Sequence, residues 1–379
     1  MNLVFQMKLF LKFEKGNKIV ELIKKYVLAL LLTEGRKTCT TMSRTTKIPY
    51  ATLYGFVRKA DDTIPIMRNI LLEEARQLLS NDKFTDLVID FSQQVKNYAQ
   101  KIEKLGYDHN GCSNRTEKGL SIGVAALSGT NKCVPFDLEF WVQKKYAEGA
   151  YIKKTDLAIK MLEAAVQAGI TYRYALLDGA FACLAVILTL ERLKQQYFMR
   201  IPSNRVIEIN GIKAKIKDQP QLKLLRNLRA KTVEAKYKGV PCFITAEKRK
   251  KRDGSYEIVY IISNVNLATP KDNIKAYANR SDVEAFFRTG KQSLGTAQCQ
   301  TLSQKKQEAH ILSAMIAYVI LEENKIDNQK NCPEEVANEI RRSDLRIQPS
   351  ELLKKRSPIP EVMQKSNMAP VNNSMQSTH

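Results

Sequence analysis

The sequence predicts an α/β fold with a helical N-terminal region and a β-rich insertion late in the chain. Three observations predict it. Between residues 84 and 202, short apolar runs that stop at an acid alternate with amphipathic stretches of helical period. Over 203–266 the pattern changes to alternating apolar and polar side chains, and helical periodicity returns over 267–322. Residues 1–80 are helical in texture and basic throughout.

The elements follow in order. Residues 18–32 carry an apolar face, and Glu34-Gly35 supplies a stop. Residues 41–57 set Met42, Ile48, Leu53 and Phe56 among polar neighbours, and 48–54 fit the turn and second helix of a small helix-turn-helix. An ordinary helical cap fits that segment equally well. Leu87-Val88-Ile89 is expected to be a short buried strand with Asp90 at its C-terminal end, and 119–127 and 134–142 are further strands. Residues 155–168 form an amphipathic helix stopped by Gly169. A second buried strand over 174–177 ends at Asp178-Gly179, followed by helix over 181–194 and strand over 197–201.

In the insertion, 205–217 and 233–246 alternate like strands. Lys248, Arg249, Lys250, Lys251 and Arg252, followed by Asp253-Gly254, form a basic hairpin tip leading into 256–265. Such a run is either a solvated loop or an arm laid along phosphates. Residues 270–294 are expected to be one long helix and 304–322 another. Residues 356–379 hold prolines, serines and asparagines with few large apolar side chains and read as a mobile tail.

Hydrophobic residues make up 44% of the 379, enough for a sizeable core, so wholesale disorder is excluded. The charge balance says most about partners: 61 Lys plus Arg against 39 Asp plus Glu, a formal net of +22. An excess that large attracts polyanions, whether nucleic acid, ribosome or a membrane surface. The seven cysteines form no CxxC pair and no cluster of zinc spacing. No secretory pattern opens the chain, and the apolar run 27–32 is too short to span a bilayer. These features point to a reducing, cytoplasmic compartment and no membrane partner.

Two acids at the ends of neighbouring buried strands need a cation. Converging carboxylates suit Mg²⁺, which takes oxygen ligands and leaves water positions open for a phosphate. Taken alone, Asp90 and Asp178 are more often loop starts or helix caps. A third acid lies in the stretch after Pro270. Tyr277, Arg280, Glu284 and Lys291 lie at offsets 0, 3, 7 and 14. At about 100° per residue they fall within a stripe roughly 60° wide, with Arg288 beside them. Ala276, Val283, Phe287 and Leu294 run alongside and would seat the helix on a core. An acid flanked by a tyrosine and cations can face a metal while the cations face phosphates, although a surface salt-bridge ladder has the same spacing.

The pattern Tyr277-x2-Arg280-x3-Glu284-x6-Lys291 resembles, at every spacing, the YREK motif of bacterial insertion-sequence transposases of the DDE class. Leu87-Val88-Ile89-Asp90-Phe91-Ser92 resembles that family's first-aspartate strand, and Leu176-Leu177-Asp178-Gly179-Ala180-Phe181 its second. The resemblance covers roughly 84–322. Ser92 stands where the family usually has Thr, and the only tryptophan, Trp141, precedes the second aspartate, which leaves the family's base-holding aromatic unplaced. Phe243 and Tyr256 are candidates for it.

The resemblance implies an RNase H-like mixed sheet flanked by helices, with Asp90 on the first strand, Asp178 on the fourth and Glu284 on the helix after the insertion. It implies a metal site of Asp90, Asp178 and Glu284 holding two Mg²⁺ ions, with Mn²⁺ as a substitute. Tyr277, Arg280, Arg288, Lys291 and the basic tip would hold DNA. Double-stranded DNA at transposon ends and targets is the implied partner, and a homodimer the implied assembly. The expected organisation is a DNA-binding region over 1–80, a catalytic core over 84–202 and 267–322, an insertion over 203–266, and a C-terminal region over 323–379. A catalytically inactive DNA-binding relative, or a nuclease that cuts without joining, would share most of these features.

Overall fold

The computed structural model describes residues 17–110, 113–147, 149, 151–251 and 253–342. Arg252 and the tail expected over 356–379 lie outside the described residues.

The N-terminal region is helical. Helix α1 (Lys18–Leu32) starts where the Asn17 side chain accepts from the amides of Ile19 and Val20. Helix α2 (Cys39–Thr46) is capped by Thr38 and ends at Lys47, whose φ of 60° turns the chain into α3 (Tyr50–Arg58). Helix α4 (Ala60–Asn81) then leads to the sheet.

Strands β1 (Asp86–Val95), β2 (Gly106–Asn110), β3 (Arg115–Ser128) and β4 (Cys133–Trp141) form an antiparallel set, with β2 and β4 both on the side of β3 away from β1. After α5 (Lys154–Gln167), β5 (Ala175–Leu177) pairs parallel with β1. Helix α6 (Leu184–Arg192) returns the chain to β6 (Tyr197–Arg200), parallel to β5. The order β4-β3-β1-β5-β6, three antiparallel strands then two parallel ones, is that of an RNase H-like core.

The insertion does not stand apart from this sheet. Strands β7 (Val206–Ile209), β8 (Ile212–Lys215), β9 (Ala230–Tyr237), β10 (Val240–Lys250) and β11 (Tyr256–Ser263) extend it, because β11 pairs antiparallel with β6. Among the described residues the result is one eleven-stranded mixed sheet.

The chain then forms α7 (Pro270–Ala278), α8 (Ser281–Thr289) and a π turn over Gly290–Leu294. Helices α9 (Gln304–Asp327) and α10 (Pro333–Arg342) follow. Helix α9 is buried almost all round from Ala309 to Leu321, and it packs on α1, α4, α10 and β4, joining the N-terminal helices to the sheet.

Two expectations are corrected, the extent of β1 and the single helix over 270–294. Asp90 lies in the middle of a ten-residue strand, because pairing with β3 carries β1 on to Val95. Asp178 directly follows β5, the fourth strand of that core in chain order, the short β2 ribbon lying outside it. The long helix over 270–294 is two helices and a π turn, broken at Asn279-Arg280.

Candidate active site

Strand register brings the two aspartates together. Ile89 is paired with Leu177 across parallel strands β1 and β5, so Asp90 and Asp178 are the next residues on each. Strand β5 stops there, and Asp178 opens a 3-10 turn over Gly179–Phe181. Leu177 is in turn paired with Met199 on β6, which sets Arg200 beside Asp178. Below Asp90, the Phe91 ring lies flat on Gly123 of β3, where any Cβ would come 2.6 Å from it. That ring also packs on Phe181, with centroids 5.4 Å apart.

The third acid arrives from above. Arg280 sits at the α7–α8 break, and its guanidinium gathers all three carboxylates. Nη2 donates to Asp90 Oδ2 at 2.9 Å and lies 3.9 Å from Asp178 Oδ1, while Nη1 donates to Glu284 Oε1 at 2.7 Å. The Arg280 side chain is 17% exposed, Asp90 13%, Asp178 39% and Glu284 55%, so the group opens to solvent on the Glu284 side. Buried Nε of Arg280 has no hydrogen-bond partner.

Burial pushes the Asp90 carboxyl up to about 6, against the pull of Arg280 and the Phe91 amide, and the nearby Asp178 and Glu284 charges add to the rise. Burial likewise pushes the Tyr277 phenol up to about 12 beside Arg280 and Asp178, so it stays a neutral donor.

The other expected residues divide. Tyr277 and Arg280 join the acids. Lys291 is half-buried in the π turn. Arg288 turns away: its Nε donates to Glu334 on α10 at 3.1 Å, and Thr289 donates to the same carboxylate. Lys248, Arg249 and Lys250 end β10, and Lys251 follows at the hairpin turn. Arg249 donates to Glu247 at 2.8 Å, and Lys251 lies 4.0 Å from Glu257. Two residues near the site escaped the sequence reading. Arg200 is the last residue of β6, and a cation ending an apolar strand next to Asp178's was its signal. Asn279 donates to Asp86, a contact with no local signal.

Among the described residues no set of three metal-ligating side chains converges as a ready coordination shell. The donor chemistry nonetheless fits a divalent ion. All three groups are hard carboxylate oxygens, and a buried Asp90 needs the cation that Arg280 now supplies.

The chain matches a family model described as DDE superfamily endonuclease over residues 17–221, more than half its length. It also matches one described as Transposase DDE domain over 126–320. The chain belongs to the DDE transposase family. Members act on DNA and generally use divalent metal ions, so the chemistry is that of a nuclease or transposase. No curated protein matches the chain. Among the described residues no helix is long and apolar enough to cross a membrane.

Proposed function

We propose that this DDE protein is a transposase that cuts double-stranded DNA at the ends of a bacterial insertion sequence and joins those ends to a target. The observation that carries the reading is the meeting of Asp90, Asp178 and Glu284, from two strands and a helix, around one cation. We assign these three as catalytic residues holding two Mg²⁺ ions, with Mn²⁺ as a working substitute. When bound, such ions activate a water or DNA hydroxyl and stabilise the leaving oxygen of an in-line displacement.

The chain's own residues then have distinct tasks. Asp90 is fixed by β1 and its Oδ1 accepts the Phe91 amide at 2.9 Å, so Oδ2, which Arg280 holds, is aimed rather than mobile. Glu284 is the exposed member and meets substrate from the solvent side. Once the carboxylates have another cation, Arg280 is free to grip a phosphate, with Tyr277, Arg200 and Lys291 around it. Helices α2 and α3 supply a second DNA surface: Tyr50 and Tyr54 are exposed and stacked at 5.7 Å, with Arg44, Lys47 and Arg58 exposed around them. Pairing two transposon ends calls for a homodimer, acting on DNA in the bacterial cytoplasm.

The test is purified protein with end DNA and Mg²⁺. Wild type should nick and join. Glu284→Gln and Asp178→Ala should abolish cutting while DNA affinity stays within about a few-fold, because binding rests on many distributed cations. Binding without cutting by the wild type would mean an inactive relative, and free ends without joined products a simple nuclease. Normal cutting by Glu284→Gln would overturn the site.

A further inference from the structure

The helix that carries Glu284 is held to the sheet by a row of polar contacts along one strand. Residues 86, 90 and 94 of β1 are four apart, so their side chains leave the same face. Each receives one donor from the segment containing α8. Asn279 Nδ2 donates to Asp86 Oδ2 at 2.8 Å, Arg280 Nη2 to Asp90 Oδ2 at 2.9 Å, and Thr296 Oγ1 to Gln94 Oε1 at 2.7 Å. The order along the strand and along the helical segment is the same. Eight steps of strand span about 26 Å, and seventeen of helix roughly 25 Å, so the segment lies lengthwise on β1.

The two outer contacts are deeply buried. Asp86 is 0% exposed and Gln94 1%. Arg173 offsets the Asp86 charge with a fork of 3.0 and 2.8 Å, leaving Asp86 Oδ2 shared with Asn279. Ser128, the cross-strand partner of Asp86, donates to Asp282 in the first turn of α8. Beyond Gln94, Lys96 donates to the carbonyls of Ala297 and Cys299 at 2.9 and 2.7 Å.

Apolar packing alone does not fix such a helix lengthwise. Val283, Phe286 and Phe287 seat α8, and side chains of that kind repack at modest cost. A slip of one turn, about 5.4 Å, would keep most apolar burial but leave Gln94 without its Thr296 donor and Asp86 with Arg173 alone. A buried polar group left without its partner loses a hydrogen bond that water cannot replace. The slipped position is thereby disfavoured, and with it a placement of Glu284 away from Asp90.

We propose that Asn279 and Thr296 are positioning residues, which dock on Asp86 and Gln94 and so set Glu284 opposite Asp90. Neither is placed to touch substrate. The inference rests on the reading of Asp90, Asp178 and Glu284 as the cutting site.

The experiment uses the full chain, end DNA and Mg²⁺, with Asn279→Ala, Thr296→Val and the exchanged pair Asp86→Asn with Asn279→Asp. At saturating DNA, Asn279→Ala and Thr296→Val should each cut about tenfold slower or more, with DNA affinity within about twofold, since a misplacement near 1 Å costs rate rather than binding. The exchanged pair restores a donor and an acceptor, and should recover rate that Asp86→Asn alone loses. Mn²⁺ titration without DNA is the second readout: Asn279→Ala should bind Mn²⁺ more weakly than wild type. Wild-type rates and Mn²⁺ affinity in both single variants would overturn the positioning role. So would a loss of rate that only tracks the folded fraction. A wild type that neither cuts nor binds Mn²⁺ would instead overturn the site itself, before any variant is compared.

Discussion

Arg280 holds Asp90 through a 2.9 Å hydrogen bond on the face of β1 where a divalent ion would have to sit. Its other amino group is bonded to Glu284, so one side chain balances carboxylates on both sides of the site. Metal and guanidinium therefore compete for the same oxygens. In Arg280→Gln, the metal-free protein should lose about 3 kcal/mol of stability, because a buried carboxylate is left without its partner. Mn²⁺ should bind that variant more tightly and raise its Tm by more than it raises the wild type's. With end DNA the same variant should show weaker binding and a salt dependence flatter by about one phosphate contact. Thermal melts in chelator and in Mn²⁺ decide the first part. An equal or smaller Mn²⁺ response in the variant would rule out competition.

The core strands were readable because their burial is local. Leu87-Val88-Ile89 and Leu176-Leu177 are apolar on both sides, as strands buried on both faces must be, and an acid ends each apolar run. The extension of β1 beyond Asp90 was not readable, because Phe91 to Val95 is held by pairing with β3, some 30 residues away in sequence. The stripe from Tyr277 to Lys291 presupposes an unbroken helix. Its near members, Tyr277, Arg280 and Glu284, survive the break at Asn279 because Asn279 and Arg280 keep helical angles. Arg288 falls out because α10 brings Glu334 to it, and no pattern within 270–294 announces that neighbour. The basic tip looked uniform in sequence, and strand alternation splits it.

That split is testable. Lys248 is paired with Ile258 and Lys250 with Tyr256, so these four share one face of the β10–β11 ribbon, with the Lys248 ammonium 4.8 Å from the Tyr256 ring centroid. Arg249 and Lys251 leave the other face, where Glu247 and Glu257 partly neutralise them. Changing Lys248 and Lys250 together to alanine should lower the slope of log K against log salt by about two. Changing Arg249 and Lys251 should lower it by less than about one. Equal slopes for the two double variants would mean that the ribbon presents no preferred face to DNA.

Gly295 ends the π turn in the left-handed region, with φ +68°. An alanine there would be strained, and its Cβ would fall 2.5 Å from Lys37 Cγ. The Lys37 amide is itself bonded to Gln298 Oε1 at 2.6 Å, so the neighbour has little room to withdraw. Gly295→Ala should destabilise the fold by about 2 kcal/mol or more, from strain and crowding together. Denaturant unfolding measures it, and a loss within error of zero would mean the loop yields freely.

His310 joins that same loop to the N-terminal helices, and its buried ring makes the joint sensitive to acid. Nε2 lies 2.8 Å from the Gly295 carbonyl, which can only accept, so Nε2 carries the proton. Nδ1 then accepts from the Tyr26 hydroxyl at 2.9 Å, and Tyr26 stacks on Phe56 of α3 at 4.0 Å. Burial pushes the ring down to about 4, so the folded protein keeps it neutral where the unfolded chain, at the ordinary 6.5, takes up a proton. Between those values the unfolded state binds more protons, and stability rises with pH. The full contribution is therefore present above about pH 6.5 and is lost as pH falls towards 4. From pH 7 to pH 5 the wild type should lose about 2 kcal/mol more than His310→Gln does, since that variant has no proton to bind. Urea unfolding of both proteins at the two pH values gives the comparison. Parallel losses in the two proteins would show that His310 does not set the acid response.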